Sequence, residues 1–264
     1  MLASKKMASF AFALFFFGLM ILAAYLNPEH IHPFRTYYNE IMLVIGVLVG
    51  FAALSWQRGV KIVLPPIASL PLALLLLIGF QWGLGMIAIQ AIYFPAMVLV
   101  LTFLAIVLGA TWVHGETAAQ SHSLREAVCL MWAASHVLAA LLSVVLQGVQ
   151  IAGLNLTPFV MYMARDATQY MRPFANVAQP NQLALLLCFG LAGLWWLLQK
   201  RSLSNALAWV LGLVLIWGLA LTQSRIAWII LPIFALLSLS GVCGERRLAW
   251  YGVFSLLATY IALL

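Results

Sequence analysis

Hydrophobic residues form long runs along almost the whole chain, and short polar intervals separate them. Runs close to the roughly 20 residues that an α-helix needs to cross a membrane occur at 8–26, 40–55, 62–80, 91–113, 126–147, 182–198, 206–221, 226–241 and 248–264. The pattern predicts about nine transmembrane helices, of which 40–55 and 226–241 are the shortest. No repeat of fixed period and no linker interrupts the series, so residues 1–264 are predicted to form a single transmembrane domain.

The amino-acid composition agrees with this pattern. Of the 264 residues, 66% are hydrophobic and 7% are charged, and the mean hydropathy is +1.08. Soluble domains carry roughly 25% charged residues, so the composition excludes a water-soluble fold. The predicted fold class is therefore all-α, a polytopic bundle of transmembrane helices.

Lysine and arginine are distributed unevenly between alternate loops. If the N-terminus is cytoplasmic, the inside segments carry nine cations: Lys5, Lys6, Arg58, Lys61, Arg125, Lys200, Arg201, Arg246 and Arg247. The outside segments carry four: Arg35, Arg165, Arg172 and Arg225. The positive-inside rule predicts this orientation. Because topology accounts for most of the net charge of +7, membrane lipid is an expected partner and nucleic acid is not.

The longest polar interval is residues 172–182, Arg-Pro-Phe-Ala-Asn-Val-Ala-Gln-Pro-Asn-Gln. Arg172 stands at its head, and four amide side chains follow: Asn176, Gln179, Asn181 and Gln182. Such a segment at membrane depth is tolerated where it lines a cavity or binds a ligand. Pro180 is suited to the first position of a helix, whose free N–H groups can bind an anion. The same residues also suit an ordinary helix start.

A second polar turn, residues 221–225, reads Leu-Thr-Gln-Ser-Arg between two apolar runs. An arginine so close to the membrane either lies at the lipid interface or is a functional candidate, and Gln223 and Ser224 add hydrogen-bonding groups. Arg172 and Arg225 are predicted to share the outer face. Because guanidinium groups bind phosphate with two parallel hydrogen bonds, the pair predicts a dianionic ligand such as a lipid-linked pyrophosphate.

The first outer loop contributes His30 and Glu40. His30 and His32 have no third ligand beside them, so no metal site is predicted. Glu40 is placed to interact with a helix dipole or to pair with an outside arginine. The sequence has no P-loop and no glycine-rich dinucleotide motif, so no cofactor is predicted, and an enzyme built this way would need an already activated donor.

Three motifs in these outer segments are His30-x-x-Pro33-Phe34-x-x-Tyr37-x-x-Glu40, residues 172–182 and residues 221–225. They resemble motifs of bacterial protein O-oligosaccharyltransferases of the PglL type, and the resemblance covers essentially the whole chain. Residues 222–264 also resemble the start of the domain shared by O-antigen ligases and polymerases. The resemblance implies a GT-C-like architecture in the bacterial inner membrane. It also implies glycan transfer from undecaprenyl pyrophosphate to a Ser or Thr of an exported protein, such as a pilin, at the periplasmic face.

The predicted substrate-binding residues are His30, Glu40, Arg172, Asn176, Gln179, Asn181, Gln182, Gln223, Ser224 and Arg225. The resemblance implies an essential histidine in a large periplasmic loop after the ninth helix. The chain stops within an apolar run at Leu264, so it is expected to be the front part of something longer, with its catalytic histidine beyond Leu264.

Two alternatives stay open. An O-antigen ligase would transfer to a lipid A core sugar, and a polymerase to a growing glycan. A flippase for a lipid-linked glycan would use the same arginines without chemistry, but it predicts polar residues through the helices to the cytoplasmic face. In this sequence the polar groups collect at the outer edge, which favours an enzyme.

Overall fold

The computed structural model describes residues 2–30, 37–55, 62–114, 118–163, 172–239 and 260–261. Within these ranges the regular structure is entirely helical, which confirms the predicted all-α class. The helices are α1 (Leu2–Leu26), α2 (Tyr37–Ser55), α3 (Ser69–Gly83), α4 (Ile89–His114), α5 (Ala118–Ala152), α6 (Pro180–Gln199), α7 (Asn205–Thr222) and α8 (Ala227–Leu239), with a 3-10 turn at Pro66–Ala68 before α3.

Each of the first eight predicted apolar segments overlaps one of the helices α1 to α8, although the third, predicted at 62–80, becomes α-helical only at Ser69. The ninth, residues 248–264, lies outside the described residues except for 260–261, so the number nine stays a prediction. Among the described residues, five stretches are long and apolar enough to cross a membrane: Pro66–Gly83, Ala91–Thr111, Glu126–Ala152, Pro180–Gln199 and Asn205–Thr222. The apolar stretches Ala11–Leu26 and Tyr38–Val49 are shorter. The chain is therefore a multi-pass membrane protein.

Local chemistry explains where the helices around the later polar turns begin and end. Pro180 occupies the first turn of α6, where its missing N–H costs no hydrogen bond. The Ser204 hydroxyl caps α7 by accepting from the backbone N–H of Leu207 at 3.3 Å. At the other end of α7, Gln223 turns the chain with a left-handed backbone at φ 48° and ψ 37°.

Two compact units make up the chain. The first consists of residues 1–17 and 44–128. In it, α3 packs against α4, and the Thr111 hydroxyl near the end of α4 accepts from the backbone N–H of Val63 at 2.8 Å. Most side chains of α3 are exposed, as expected for a helix that faces lipid.

The second unit consists of residues 18–43 and 129–264, and it contains the main hydrophobic core. Its centre is α6, which packs against α7 and α8. One face of α6 is fully buried, and the core residues on it recur every three or four positions: Leu183, Leu186, Leu187, Leu191, Leu194 and Leu197.

Glycines allow helices of the second unit to approach closely. A Cβ added at Gly193 of α6 would lie 2.7 Å from the backbone oxygen of Ala133 in α5, and one at Gly190 would lie 2.5 Å from the Ala140 Cβ. On α7, a Cβ at Gly218 would lie 2.5 Å from Val144. The backbones of α6 and α7 therefore lie close against α5, as small residues permit in membrane bundles.

Candidate functional site

The candidate site is built around a non-helical segment, residues 172–179, which runs into the start of α6. Two alanines in it, Ala175 and Ala178, have left-handed backbones with φ 51° and φ 62°. Such conformations cost a non-glycine residue roughly 1–2 kcal/mol, so other contacts must impose this path. Backbone strain of this kind is concentrated at functional sites. We call residues 172–179 the motif loop.

The motif loop and the turn after α7 meet at Arg172. Its Nε donates to the backbone carbonyl of Thr222 at 2.6 Å, and its Nη2 donates to Asn181 Oδ1 at 3.2 Å. The Ser224 hydroxyl donates to the same Asn181 oxygen at 3.0 Å. Asn181 and Ser224 are 43 residues apart in the sequence, and the two polar segments that contain them thus form one cluster, Arg172–Asn181–Ser224.

Exposed polar groups flank this cluster. Gln179 precedes the first turn of α6, and Gln223 and Arg225 lie on either side of Ser224; all three side chains are exposed. Within the described part of the chain, the side chain of Arg225 forms no hydrogen bond or ion pair, and its backbone carbonyl accepts from the N–H of Trp228 at 3.1 Å. The guanidinium group of Arg172, in contrast, is engaged with Thr222 and Asn181.

The start of α6 adds backbone donors on the same side. Gln179 is the N-cap residue, but its side chain makes no capping hydrogen bond. The backbone N–H groups of Asn181 and Gln182 have no intrahelical acceptor in this first turn, and the side chain of Gln182 is half-buried. Two arginines and an uncapped helix start give the site a positive potential suited to an anion.

Asn176 lies beneath the motif loop and is 1% exposed. Its Nδ2 donates to the carbonyls of Leu26 at 2.7 Å and Phe159 at 2.9 Å, and its Oδ1 accepts from the backbone N–H of Met161 at 3.0 Å. The side chain thus joins the motif loop to the end of α1 and to the segment after α5.

His30 adds a further tie to the motif loop. Its Nε2 donates to the backbone carbonyl of Asn176 at 2.6 Å; a carbonyl can only accept, so the proton is on Nε2. Glu40 lies half-buried in the first turn of α2 and makes no bond to Arg172, Asn181 or Ser224. The remaining histidine of that loop, His32, lies outside the described residues, as do Pro33 and Phe34.

Gln150, near the end of α5, is a residue that sequence reasoning missed. It is 2% exposed and forms hydrogen bonds to the backbone of the motif loop and of residue 161. A signal for it existed: Gln147 and Gln150 are two amides three residues apart, on one face of a helix at the end of an otherwise apolar run. Buried amides in a membrane helix need partners on a neighbouring segment.

Among the described residues, no group of three or more His, Cys, Asp or Glu side chains is arranged to hold a metal ion. His136 of α5 lies elsewhere in the second unit, where its ring packs 4.3 Å from Trp132, 5.6 Å from Tyr25 and 5.5 Å from Phe189, measured between ring centroids.

Fold and site together define a polytopic α-helical membrane protein with a cationic, amide-rich site where α6 begins and α7 ends. Two curated proteins of Acinetobacter baylyi (strain ATCC 33305 / BD413 / ADP1) are similar to this chain. A general O-oligosaccharyltransferase is 28% identical over 215 residues, which are 80% of this chain and 35% of that protein. A ComP-specific O-oligosaccharyltransferase is 27% identical over 226 residues, which are 85% of this chain and 38% of that protein.

These similarities confirm the predicted resemblance to protein O-oligosaccharyltransferases of the PglL type. The matched region spans somewhat more than a third of each relative's length. No protein-family model matches the chain, and no solved structure matches it significantly.

Proposed function

We propose that this chain carries the donor-binding part of a protein O-oligosaccharyltransferase in the bacterial inner membrane. The donor is an undecaprenyl-pyrophosphate-linked oligosaccharide, and the acceptor is a Ser or Thr hydroxyl of an exported protein at the periplasmic face. Both relatives are named O-oligosaccharyltransferases, which supports the reaction class. In this proposal, residues 222–264 begin the domain shared with O-antigen ligases.

The observation that carries the proposal is the Arg172–Asn181–Ser224 cluster. It brings the motif loop to the Thr-Gln-Ser-Arg turn and leaves Arg225 exposed beside it. A pyrophosphate needs several donors converging from more than one direction. Guanidinium groups from two segments and the first-turn N–H groups of α6 supply such donors.

In the proposed reaction, negative charge develops on the diphosphate as it leaves the sugar. The acceptor hydroxyl oxygen forms a bond to C1 of the first sugar, the bond between C1 and the diphosphate oxygen breaks, and its electron pair stays on the diphosphate. The hydroxyl proton passes to a general base, which we do not assign to this chain. Arg225 and Arg172 stabilise the departing diphosphate, an effect that raises turnover because the charge grows towards the transition state.

Of the remaining predicted residues, we assign some to direct contact with the ligand and others to holding the backbone of the site in place. We assign the amides of Gln179, Gln182 and Gln223 to contacts with the glycan or the diphosphate. Asn176 and His30 act through the backbone they hold, since their bonds are made within the chain. A protein acceptor is favoured over a lipid A core because the name of one relative specifies ComP as its target.

Substitution of Arg225 in the full-length protein tests the proposal. We expect Arg225→Ala to lower kcat/KM for glycan transfer by about 100-fold or more, because one preorganised donor of this kind is worth that much. Arg225→Lys should also be poor, because an ammonium cannot reproduce the bidentate fork. Transfer is measured as glycosylated acceptor formed in proteoliposomes that contain the lipid-linked donor.

Arg201→Ala is the matched control, since it removes the same charge at the opposite end of α6. It should leave kcat/KM within about twofold, as expected for a screened surface charge. Undiminished transfer by Arg225→Ala, at equal expression, would falsify the proposed role of the site.

A further inference from the structure

Gln150 satisfies the backbone of the motif loop with every polar atom of its side chain. Its Oε1 accepts from the backbone N–H groups of Phe174 at 3.0 Å and Ala175 at 2.9 Å. Its Nε2 donates to the backbone carbonyls of Ala175 at 2.8 Å and Met161 at 3.0 Å. One amide thus replaces the hydrogen bonds that a strand or helix would give this buried backbone.

The motif loop depends on these bonds for its shape. Ala175 is fully buried, and its left-handed φ of 51° is unfavourable for alanine. A second left-handed residue, Ala178, follows before α6 begins. Without partners for its N–H and carbonyl, the buried backbone at Ala175 would carry an unsatisfied donor and acceptor. Gln150 therefore selects this conformation over the relaxed alternatives.

The bonded segment is adjacent to the cationic site in sequence. Only Pro173 separates Phe174 from Arg172, and proline fixes φ near −65°. Pro173 is itself buried, so an anchored Phe174 leaves the Arg172 backbone little freedom. In the other direction, Asn176 to Gln179 lead directly into the uncapped first turn of α6. An anchor at Ala175 thus holds both the guanidinium group and the helix start.

We propose that Gln150 is a positioning residue that sets the affinity of this site for a lipid-linked pyrophosphate. This inference rests on the proposed function. Gln150 touches no ligand; it acts by holding the motif loop in the geometry that presents Arg172 and the N–H groups of Asn181 and Gln182 together. Loss of its amide lets the motif loop relax, so the donors no longer converge on one anion.

Gln147 provides a matched control on the same helix. It is also a buried amide of α5, 0% exposed, and its Nε2 donates to the backbone carbonyl of Gly218 in α7 at 3.1 Å. It makes no bond to the motif loop. If buried amides of α5 served stability alone, variants at Gln147 and Gln150 would have the same consequences.

The experiment compares Gln150→Met and Gln147→Met in the full-length protein, with the parent protein and Arg225→Ala beside them. Methionine keeps most of the volume and removes both polar atoms. Two quantities are measured in detergent: the Kd for undecaprenyl pyrophosphate, and hydrogen–deuterium exchange of peptides that contain residues 172–179. If Gln150→Met does not accumulate as folded protein, Gln150→Asn replaces it, because it keeps the amide but shortens its reach.

We expect Gln150→Met to raise the Kd by at least about tenfold, since small misplacements of binding groups have effects of this order or larger. Exchange at residues 172–179 should rise in parallel. Gln147→Met should change the Kd by less than about twofold and leave exchange in that segment as in the parent, whatever it does to melting temperature.

Equal effects of the two substitutions on Kd, or unchanged exchange at residues 172–179 in the Gln150 variants, would overturn the positioning role. A different result would contradict the proposed function itself: the parent protein binds no undecaprenyl pyrophosphate, or Arg225→Ala binds it as well as the parent does.

Discussion

Arg172 and Arg225 carry the same charge, but the structure gives them different surroundings. Arg172 is half-buried and donates to a carbonyl at the end of α7, whereas the side chain of Arg225 is exposed and has no partner in the described part of the chain. A cation at a helix C-terminus also interacts favourably with the helix dipole. Arg172 therefore contributes to folding as well as to charge, whereas the side chain of Arg225 makes no such bond to the described residues.

This difference predicts different effects on stability. Arg172→Ala should lower the free energy of unfolding by about 2 kcal/mol, because it removes charged hydrogen bonds to Thr222 and Asn181. Arg225→Ala should stay within about 0.5 kcal/mol of the parent, as surface substitutions do. Thermal unfolding in detergent, followed by intrinsic tryptophan fluorescence, measures both. Equal melting temperatures for the two variants would contradict the structural role of Arg172.

Gln223 has a left-handed backbone, as do Ala175, Ala178 and Arg201 among the described non-glycine residues. A left-handed residue at the end of a helix is usually glycine, yet this position carries an exposed glutamine with φ 48°. This position therefore carries a long polar side chain where glycine would be less strained, and the proposed function assigns that side chain to the ligand.

At the scale of the helices, the close approach of α6 to α5 depends on Gly193. A methyl group there would meet the backbone of Ala133, which cannot rotate away. We expect Gly193→Ala to destabilise the fold by about 1–3 kcal/mol, the usual cost of overpacking. The measurement is the melting temperature in detergent.

Gly148→Ala on α5 is the control, because nothing lies within 4 Å of an added Cβ at that position. It should be neutral or stabilise the helix by up to about 1 kcal/mol, since alanine is the better helix former. If Gly193→Ala proves as harmless as Gly148→Ala, the helices do not approach as closely as described.

The helices were more predictable from sequence than the contacts between them. Apolar runs located α1 to α8, and Pro180 correctly indicated the start of α6. That Asn181 and Ser224 share a hydrogen bond could not be read from the sequence, because it depends on how α6 packs against α7 and α8. Spacing along the chain carries no information on such packing.

Individual amides were harder still to interpret. Asn176 was expected to bind substrate, and the structure gives its side chain three partners within the chain. Gln150 is not predicted as a site residue from sequence, because a polar residue at the end of an apolar run also suits an ordinary membrane interface. An amide looks the same in sequence whether it faces a ligand or its own backbone.

At the scale of the whole molecule, the orientation of the helices in the membrane decides at which face the candidate site lies. The distribution of Lys and Arg predicts that α6 begins at the outer face and ends at the inner face. Its 20 residues span about 30 Å, enough to cross the hydrocarbon core. Gln179 at its start and Ser202 after its end are both exposed.

We expect Gln179→Cys to react with a membrane-impermeant maleimide in spheroplasts and Ser202→Cys to react only after the membrane is permeabilised. The background should lack the native cysteines Cys129, Cys188 and Cys243, and the readout is a mass shift of the purified protein. The reverse pattern of labelling would place the motif loop at the cytoplasmic face and remove the basis for a periplasmic reaction.

The hydrogen bonds beneath the motif loop also determine when the site can form during biosynthesis. Asn176 holds the carbonyl of Leu26, which was made 150 residues earlier. At roughly 5–20 residues per second, the ribosome needs roughly 8 to 30 seconds to cover that distance. Throughout this interval the carbonyl of Leu26 lacks its final partner, whereas Gln150 of α5 is made only 24 residues before Phe174. Arg172 gains its bond to Thr222 only after 50 further residues have been made, so the binding site is completed well after the first helices have been synthesised.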